Sequence, residues 1–201
     1  EEIRDIIHYL QNPHKYQELG IKISKGILFD GPPGNGKTLF ARAVAGEAGC
    51  SFLEYSGPEF QSPLIGEGAQ KIREAFKQAR NQAPCIMFID EIDSIAANRD
   101  NLQFAIHSEI INQLLCEIDG FNQQNPDKPV IVIAATNRSD ALDPAIKRPG
   151  RFDLHITINA PDLAERIELL KFYGSKVKLD PSCDLAAIAE ITKGRSCAEL
   201  A

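Results

Sequence analysis

Residues 26–48 read GILFDGPPGNGKTLFARAVAGEA, and the middle of that stretch decides the fold. An apolar run with strand character, GILFD, is followed by three glycines and two prolines within six residues, and then by a run with helical composition. Glycine loses more backbone freedom on folding than any other residue, so a bend this rich in glycine needs something that orders it. GPPGNGKT at 31–38 fits the pattern GxxxxGK[ST], in the strand-to-helix setting that the pattern requires. In such a loop the backbone N–H groups and the helix N-terminus converge on the β- and γ-phosphates of a nucleotide. Lys37 adds a point charge, and the Thr38 hydroxyl is placed to ligate Mg²⁺. The expected nucleotide contacts are Pro33, Gly34, Asn35, Gly36, Lys37, Thr38 and Leu39, with ATP and Mg²⁺ as ligands.

Outward from this loop, strand-like runs recur at 26–30, 51–55, 85–90, 130–135 and 154–158, and most are too apolar to face water. Helical patterns lie between them at 37–48, 67–82 and 104–118. Strands alternating with helices predict an α/β fold, a three-layer sandwich around a mainly parallel sheet. Ile3, Ile6, Ile7 and Leu10 have helical spacing ahead of Asn12-Pro13, whereas from Pro161 onward the pattern is helix only. The expected organisation is therefore a linker helix and loop over 1–24, a nucleotide-binding domain over 25–160 and part of a helical subdomain over 161–201. Ser196 and Glu199 have capping-box spacing, announcing one more helix two residues before the end, which predicts a truncated subdomain in a fragment of a longer protein. The stretch 122–129 reads as a surface loop.

With 43% apolar and 25% charged residues, the 201-residue chain has the composition of an ordinary soluble domain. A net charge of −6 argues against a nucleic-acid partner, which would need a concentrated positive face. The longest apolar runs are far too short to cross a bilayer, so any membrane anchor is expected outside these residues. Five cysteines without a CxxC pair fit reduced thiols in a reducing compartment, hence an expected cytoplasmic location, with any membrane association made through regions outside these residues. The four histidines are scattered and carry no assigned chemistry, and no HExxH occurs, so a zinc protease site would have to lie beyond Ala201.

A phosphate cradle needs a carboxylate for the metal and a group that positions water before it can hydrolyse anything. IMFIDEID at 86–93 supplies both. Adjacent charges after a buried strand are costly without partners, and Asp90 reads as a carboxylate that holds Mg²⁺ through water, Glu91 as the residue that orients and polarises the attacking water. Asp93 reads as structural.

Taken together, GPPGNGKT, FIDEID (88–93), AATNR (134–138) and LDPAIKRPGRFD (142–153) resemble the ATPase module of the AAA family in order and spacing, over nearly the whole chain. ISKG (23–26), ARAVAGEA (41–48), NQAPCIMFIDEID (81–93) and INQLLCEIDGF (111–121) are most similar to the FtsH branch of membrane-anchored ATP-dependent metalloproteases. The resemblance implies a P-loop NTPase fold and a homo-oligomer, a hexamer in the full-length protein, acting on polypeptide substrates. It assigns Asn137 to sensing the γ-phosphate and water, and Arg148 and Arg151 to the nucleotide of a neighbouring subunit. It places Leu169, Tyr173, Cys197 and Ala198 over the adenine, although Tyr173 and Cys197 stand where histidine and glycine are usual. It also makes Leu64, Ile65 and Gly66 the substrate-gripping loop of a central pore, where the aromatic of related unfoldases is absent. The loop within 100–109 lacks the glycines and charge of its counterpart. Two readings follow: a motor that unfolds, remodels or translocates proteins, and a slow nucleotide-gated scaffold without threading.

Overall fold

The computed structural model describes residues 2–21, 23–96, 104–120, 128–180 and 183–201, and only the backbone of 104–107. The expected surface loop at 122–129 lies largely outside these residues; of the loop expected within 100–109, residues 100–103 lie outside and 104–109 are helix instead. In chain order the helices are α1 (Glu2–Gln11), α2 (Pro13–Glu18), α3 (Lys37–Ala48), α4 (Glu67–Asn81), α5 (Asp93–Ala96), α6 (Phe104–Gly120), α7 (Leu163–Gly174), α8 (Leu185–Ile191) and α9 (Cys197–Leu200). The strands are β1 (Gly26–Asp30), β2 (Ser51–Ser56), β3 (Cys85–Asp90), β4 (Val130–Thr136) and β5 (Phe152–Thr157), with 3₁₀ turns at Gly57–Phe60 and Ser139–Ala141. Helix α2 has no counterpart in the expected elements and opens at the Asn12-Pro13 that ends the first helical run: Pro13 sits in its first turn, a position that needs no N–H donor. Nor has α5 a counterpart, because its single turn is too short to show a period.

The chain divides into two compact units, Glu1–Asp30 with Thr38–Ile156, and Gly31–Lys37 with Thr157–Ala201. The first contains the sheet, in the order β2-β3-β4-β1-β5. Neighbours β2/β3, β3/β4 and β4/β1 are parallel. β5 runs in the same sense beside β1, because Gly26 lies against the Arg151 carbonyl and, one strand length on, Gly31 lies against that of Ile158. The α/β class with a parallel sheet is as the alternating pattern predicts.

Central position explains the uninterrupted apolar runs. All seven residues of β4 are buried, whereas the edge strand β2 has no buried residue and the edge strand β5 buries only Phe152. One face of the sheet, with Leu28, Met87, Ile89, Val132 and Ala134, packs against Ile72, Phe76 and Ala79 of α4 and Ile110, Leu114 and Ile118 of α6. The α4 set recurs at three- and four-residue steps, the spacing of one helix face. Because side chains alternate along a strand, Ile27, Phe29, Ile86, Phe88, Ile131 and Ile133 fill the opposite face and are fully buried there. Phe40 of α3 approaches Phe29 on that side with ring centroids 5.5 Å apart.

In parallel register the C-terminal ends of the strands share one edge, so Asp30 lies beside Thr136 and Ser56 beside Asp90. That edge is where ligands bind in open α/β sheets. No helix among the described residues is long and apolar enough to cross a membrane.

In the second unit, α7 opens with a reciprocal cap between Asp162 and Glu165, and Asp184 caps α8. Arg166, almost fully buried, donates from Nε to the Ala189 carbonyl at 2.9 Å and from Nη1 to that of Pro161 at 3.0 Å. The spacing of Ser196 and Glu199 forms the predicted capping box, which starts α9. Backbone and side-chain hydrogen bonds from Ser196, with help from Arg195, hold the Glu199 carboxyl down at about 2.

Candidate functional site

The glycines of the loop are needed where they stand. Gly34 and Gly36 have φ of +78° and +82°, a left-handed conformation that side chains disfavour. A Cβ on Gly31 would lie 2.0 Å from the Ile158 carbonyl oxygen, so the loop's first residue has no room for any other side chain. Asn35 is buried because its side chain is engaged on two sides: Nδ2 donates to the Pro32 carbonyl, and Oδ1 accepts from the Cys197 N–H at 3.3 Å. The Ala198 N–H donates to the Gly34 carbonyl at 2.9 Å. The start of α9 is thus bonded to the loop, and Pro33, Gly34, Asn35, Gly194, Ser196 and Glu199 are among the residues lining a cleft of about 510 Å³. Lys37 is buried, with Nζ donating to the carbonyls of Gly31 at 2.7 Å and Pro32 at 2.9 Å.

Of the four residues expected near adenine, Cys197 and Ala198 meet the loop through their N–H groups. Leu169 and Tyr173 are half-buried on α7, where the Tyr173 ring is edge-on to Phe172 and lies 5.2 Å from the Lys176 ammonium. Burial raises the Cys197 thiol above its ordinary value.

In the first unit, the Thr38 hydroxyl donates to Asp90 Oδ2 at 3.3 Å, so the helix that follows the loop and the end of β3 bring their oxygens together. The other carboxylate oxygen of Asp90 accepts from the Glu91 N–H at 2.9 Å. Glu91 itself is exposed and has φ +51°, among the described residues the one non-glycine with positive φ. A left-handed residue with a Cβ costs roughly 1–2 kcal/mol and persists where its surroundings over-determine it. Here the surroundings are explicit: the Ser94 N–H donates to the Glu91 carbonyl at 2.9 Å, and the Ile92 N–H to that of Ala135 at 3.0 Å. Glu91 is therefore turned out at the sheet edge by backbone bonds on both sides.

The turn after it, α5, joins several segments. The Asp93 carboxylate accepts from Thr136 Oγ1 at 2.8 Å, a structural bond that leaves exposed Asn137 next in sequence. The Ala96 carbonyl accepts from the Asp143 N–H at 2.9 Å, at the start of the segment that carries the two arginines. Arg148 is exposed. Arg151 is held by its own chain: Nε and Nη2 donate to the two carboxylate oxygens of Asp119 at 3.2 and 2.9 Å, and Nη1 to the Ala145 carbonyl at 2.9 Å. The hydrogen bond to Asp119 pushes the Arg151 guanidinium above its ordinary value. Asp119 carries no signal of this role in the sequence, because a carboxylate near a helix end is most often simply solvated.

Leu64 and Ile65 are 65% and 83% exposed, just ahead of α4, and Gly66 has φ +84° at the start of that helix. Two adjacent apolar side chains in water mark a contact surface more often than a folding error.

Comparison with known proteins agrees with this geometry. The sequence profile of the AAA family, "ATPase family associated with various cellular activities", matches residues 27–160. Proteins named ATP-dependent zinc metalloprotease FtsH are similar over the whole chain: 48% identical in Thermobaculum terrenum and 49% in Caldicellulosiruptor bescii, with FtsH 2 of Symbiobacterium thermophilum 50% identical. The chain spans 31%, 32% and 34% of the length of these three proteins, respectively. From the loop, the carboxylates and this similarity, the chain belongs to the AAA family of ATPases, as a module of the FtsH-like kind.

Proposed function

We propose that the chain binds ATP with Mg²⁺ and hydrolyses it to unfold, remodel or translocate polypeptides, as the motor part of an FtsH-like protease. The observation that carries this reading is the Thr38–Asp90 oxygen pair with Glu91 turned out beside it. Hard oxygen donors of this kind suit Mg²⁺, which keeps several waters and takes few protein ligands. A loop in which backbone replaces side chains at Gly31 and Gly34 suits close approach of a phosphate ester.

In this mechanism Lys37 and the N–H groups of 33–38 hold the β- and γ-phosphates, Leu39 contacts the nucleotide, and Thr38 and Asp90 hold the metal. Bound Mg²⁺ neutralises charge that develops on the phosphates. The Glu91 carboxylate accepts a hydrogen bond from the attacking water and aligns it with the γ-phosphorus. The Asn137 amide fixes the same water and the γ-phosphate oxygens. Leu169, Tyr173, Cys197 and Ala198 cover the adenine. Arg148 and Arg151 of one subunit supply positive charge to the nucleotide of the next, so the unit of function is a ring, a hexamer in the full-length protein. Leu64 and Ile65 grip the polypeptide, and Gly66 lets the loop bend. The proposed division is a linker over 1–24, the nucleotide-binding domain over 25–160 and a helical lid over 161–201, on the cytoplasmic side of a membrane to which other parts of the protein attach it.

Lys37→Ala is expected to lose ATP binding, because a buried cationic donor to phosphate is removed. A calorimetric titration that kept full affinity would contradict this. The motor reading is tested by the Mg-ATPase rate per chain across a wide range of protein concentration. The expected result is a specific rate that climbs as neighbours assemble. A flat rate near zero with intact ATP binding would favour the scaffold, the reading that the lack of an aromatic beside Leu64 and Ile65 supports.

A further inference from the structure

Between β2 and the Leu64–Ile65 pair, the chain passes close against the Glu91 turn. Gly57 touches it with its backbone: a Cβ there would lie 2.4 Å from both the Glu91 carbonyl oxygen and the Ser94 hydroxyl. Four residues on, Gln61 Nε2 donates to the Ser94 carbonyl at 2.8 Å. Gln61 is exposed, so burial does not explain its orientation, and only the NH₂ end of its amide can pair with a carbonyl. Among the described residues Ser94 Oγ is buried without a hydrogen-bond partner, an unusual state for a hydroxyl packed this close to the residue proposed to position water. Immediately after Gln61 the loop is organised by Ser62, whose hydroxyl bonds the Glu67 carboxylate and accepts from the Leu64 N–H at 3.2 Å. Phe60, buried against the helices of the core, pins the other end of the short segment.

Ser94 in turn is the residue whose N–H holds the Glu91 carbonyl. A chain of direct bonds therefore runs from the Glu91 backbone through Ser94 to Gln61, three residues before the exposed Leu64.

We propose that Gln61 is a positioning residue that couples the Leu64–Ile65 loop to the hydrolytic centre: its amide clasps the Ser94 carbonyl, so that the loop stem and the Glu91 turn shift together when nucleotide state changes. The loop's role in gripping polypeptide is taken from the function proposed above. The coupling does not itself depend on what the loop holds. Gly57 is the close-packed pivot, and Gln61 is the tie. Without the tie the stem keeps its core anchor at Phe60 but loses its bond to the turn.

The test is hydrogen exchange of the backbone amides of 61–66, with ATP and with ADP, in chains carrying Glu91→Gln to prevent turnover. Gln61→Glu keeps the size of the side chain but replaces the donor by an acceptor; Gln61→Lys restores a donor; Ser94→Ala keeps the carbonyl that is bonded. The expected result is a difference in loop exchange between ATP and ADP that Gln61→Glu reduces roughly fivefold, about what one hydrogen bond can carry, while Gln61→Lys and Ser94→Ala retain it. Nucleotide affinity and thermal midpoint should stay unchanged in all of them, which a merely structural defect would not allow. A loop that responds equally in Gln61→Glu, or one that ignores nucleotide with Gln61 intact, overturns the proposal. Polypeptide stimulation of the ATPase, measured in parallel on chains with Glu91 intact and compared with Ile65→Asp, reports separately on gripping. If Ile65→Asp leaves stimulation untouched, the gripping role fails while the exchange result stands.

Discussion

Glu91→Gln will bind ATP as tightly as the unaltered chain and turn it over at least about a hundredfold more slowly, the usual loss when a positioned proton acceptor is removed. Glutamine has the same shape and the same backbone preferences, so the φ of +51° and the bonds that impose it, from Glu91 to Ser94 and Asp90 and from the Ile92 N–H to the Ala135 carbonyl, are unaffected. What disappears is the negative charge that polarises water. The groups proposed to bind ATP and Mg²⁺, Lys37 with the loop and Thr38 with Asp90, are untouched. Calorimetry for affinity and single-turnover hydrolysis for the chemical step separate the two effects. A single-turnover rate within a few fold of the unaltered chain would take Glu91 out of the mechanism.

Arg151→Ala will retain nucleotide affinity but lose about a thousandfold in turnover, the low end of what an arginine acting on a phosphoryl transition state supplies. Mixing it with Glu91→Gln should restore part of the activity: a chain with intact Glu91 then receives Arg151 from its neighbour. The backbone of Arg151 is wedged against Gly26, where a Cβ would come within 2.3 Å of the Arg151 carbonyl oxygen, so the side chain starts from a fixed point. Its guanidinium is held in a two-pronged pair with Asp119, itself half exposed, a pair that has to open for the arginine to reach a neighbour's nucleotide. A planar guanidinium suits charge spread over several phosphate oxygens better than an ammonium would. Failure of the mixture to regain activity, with both variants folded and binding ATP, would place the arginine in its own subunit's site or outside catalysis.

The residues legible from sequence are those whose chemistry is written in local pattern. Gly31 and Gly36 were readable because positive φ demands glycine and the GxxxxGKT pattern fixes glycine at these two positions. Asp90 and Glu91 stood out because paired charges at the end of an apolar run need a reason. The cap at Ser196 and Glu199 was readable for the same cause, as its two bonds are made within four residues. By contrast, Asp119 meets Arg151 across 32 residues, Thr136 meets Asp93 across 43 and Gln61 meets Ser94 across 33. None of these six residues has a spacing that hints at its partner. The start of β5 at Phe152, two residues earlier than the alternation indicates, likewise follows from pairing beside β1.

The sequence by itself determined the class of fold, the position of the phosphate loop and the carboxylates, and the apolar faces of α4 and the central strands. These depend on periods of two and 3.6 and on residues with special backbone needs, which are properties of neighbours along the chain. Strand order β2-β3-β4-β1-β5, the left-handed turn at Glu91 and the ties made by Gln61 and Asp119 were decided only by the tertiary structure. Buried strands of similar composition can pair in several orders with nearly equal local energy. The choice among them is made by how all the layers pack at once, and the side chains that meet at the sheet edge are chosen with it.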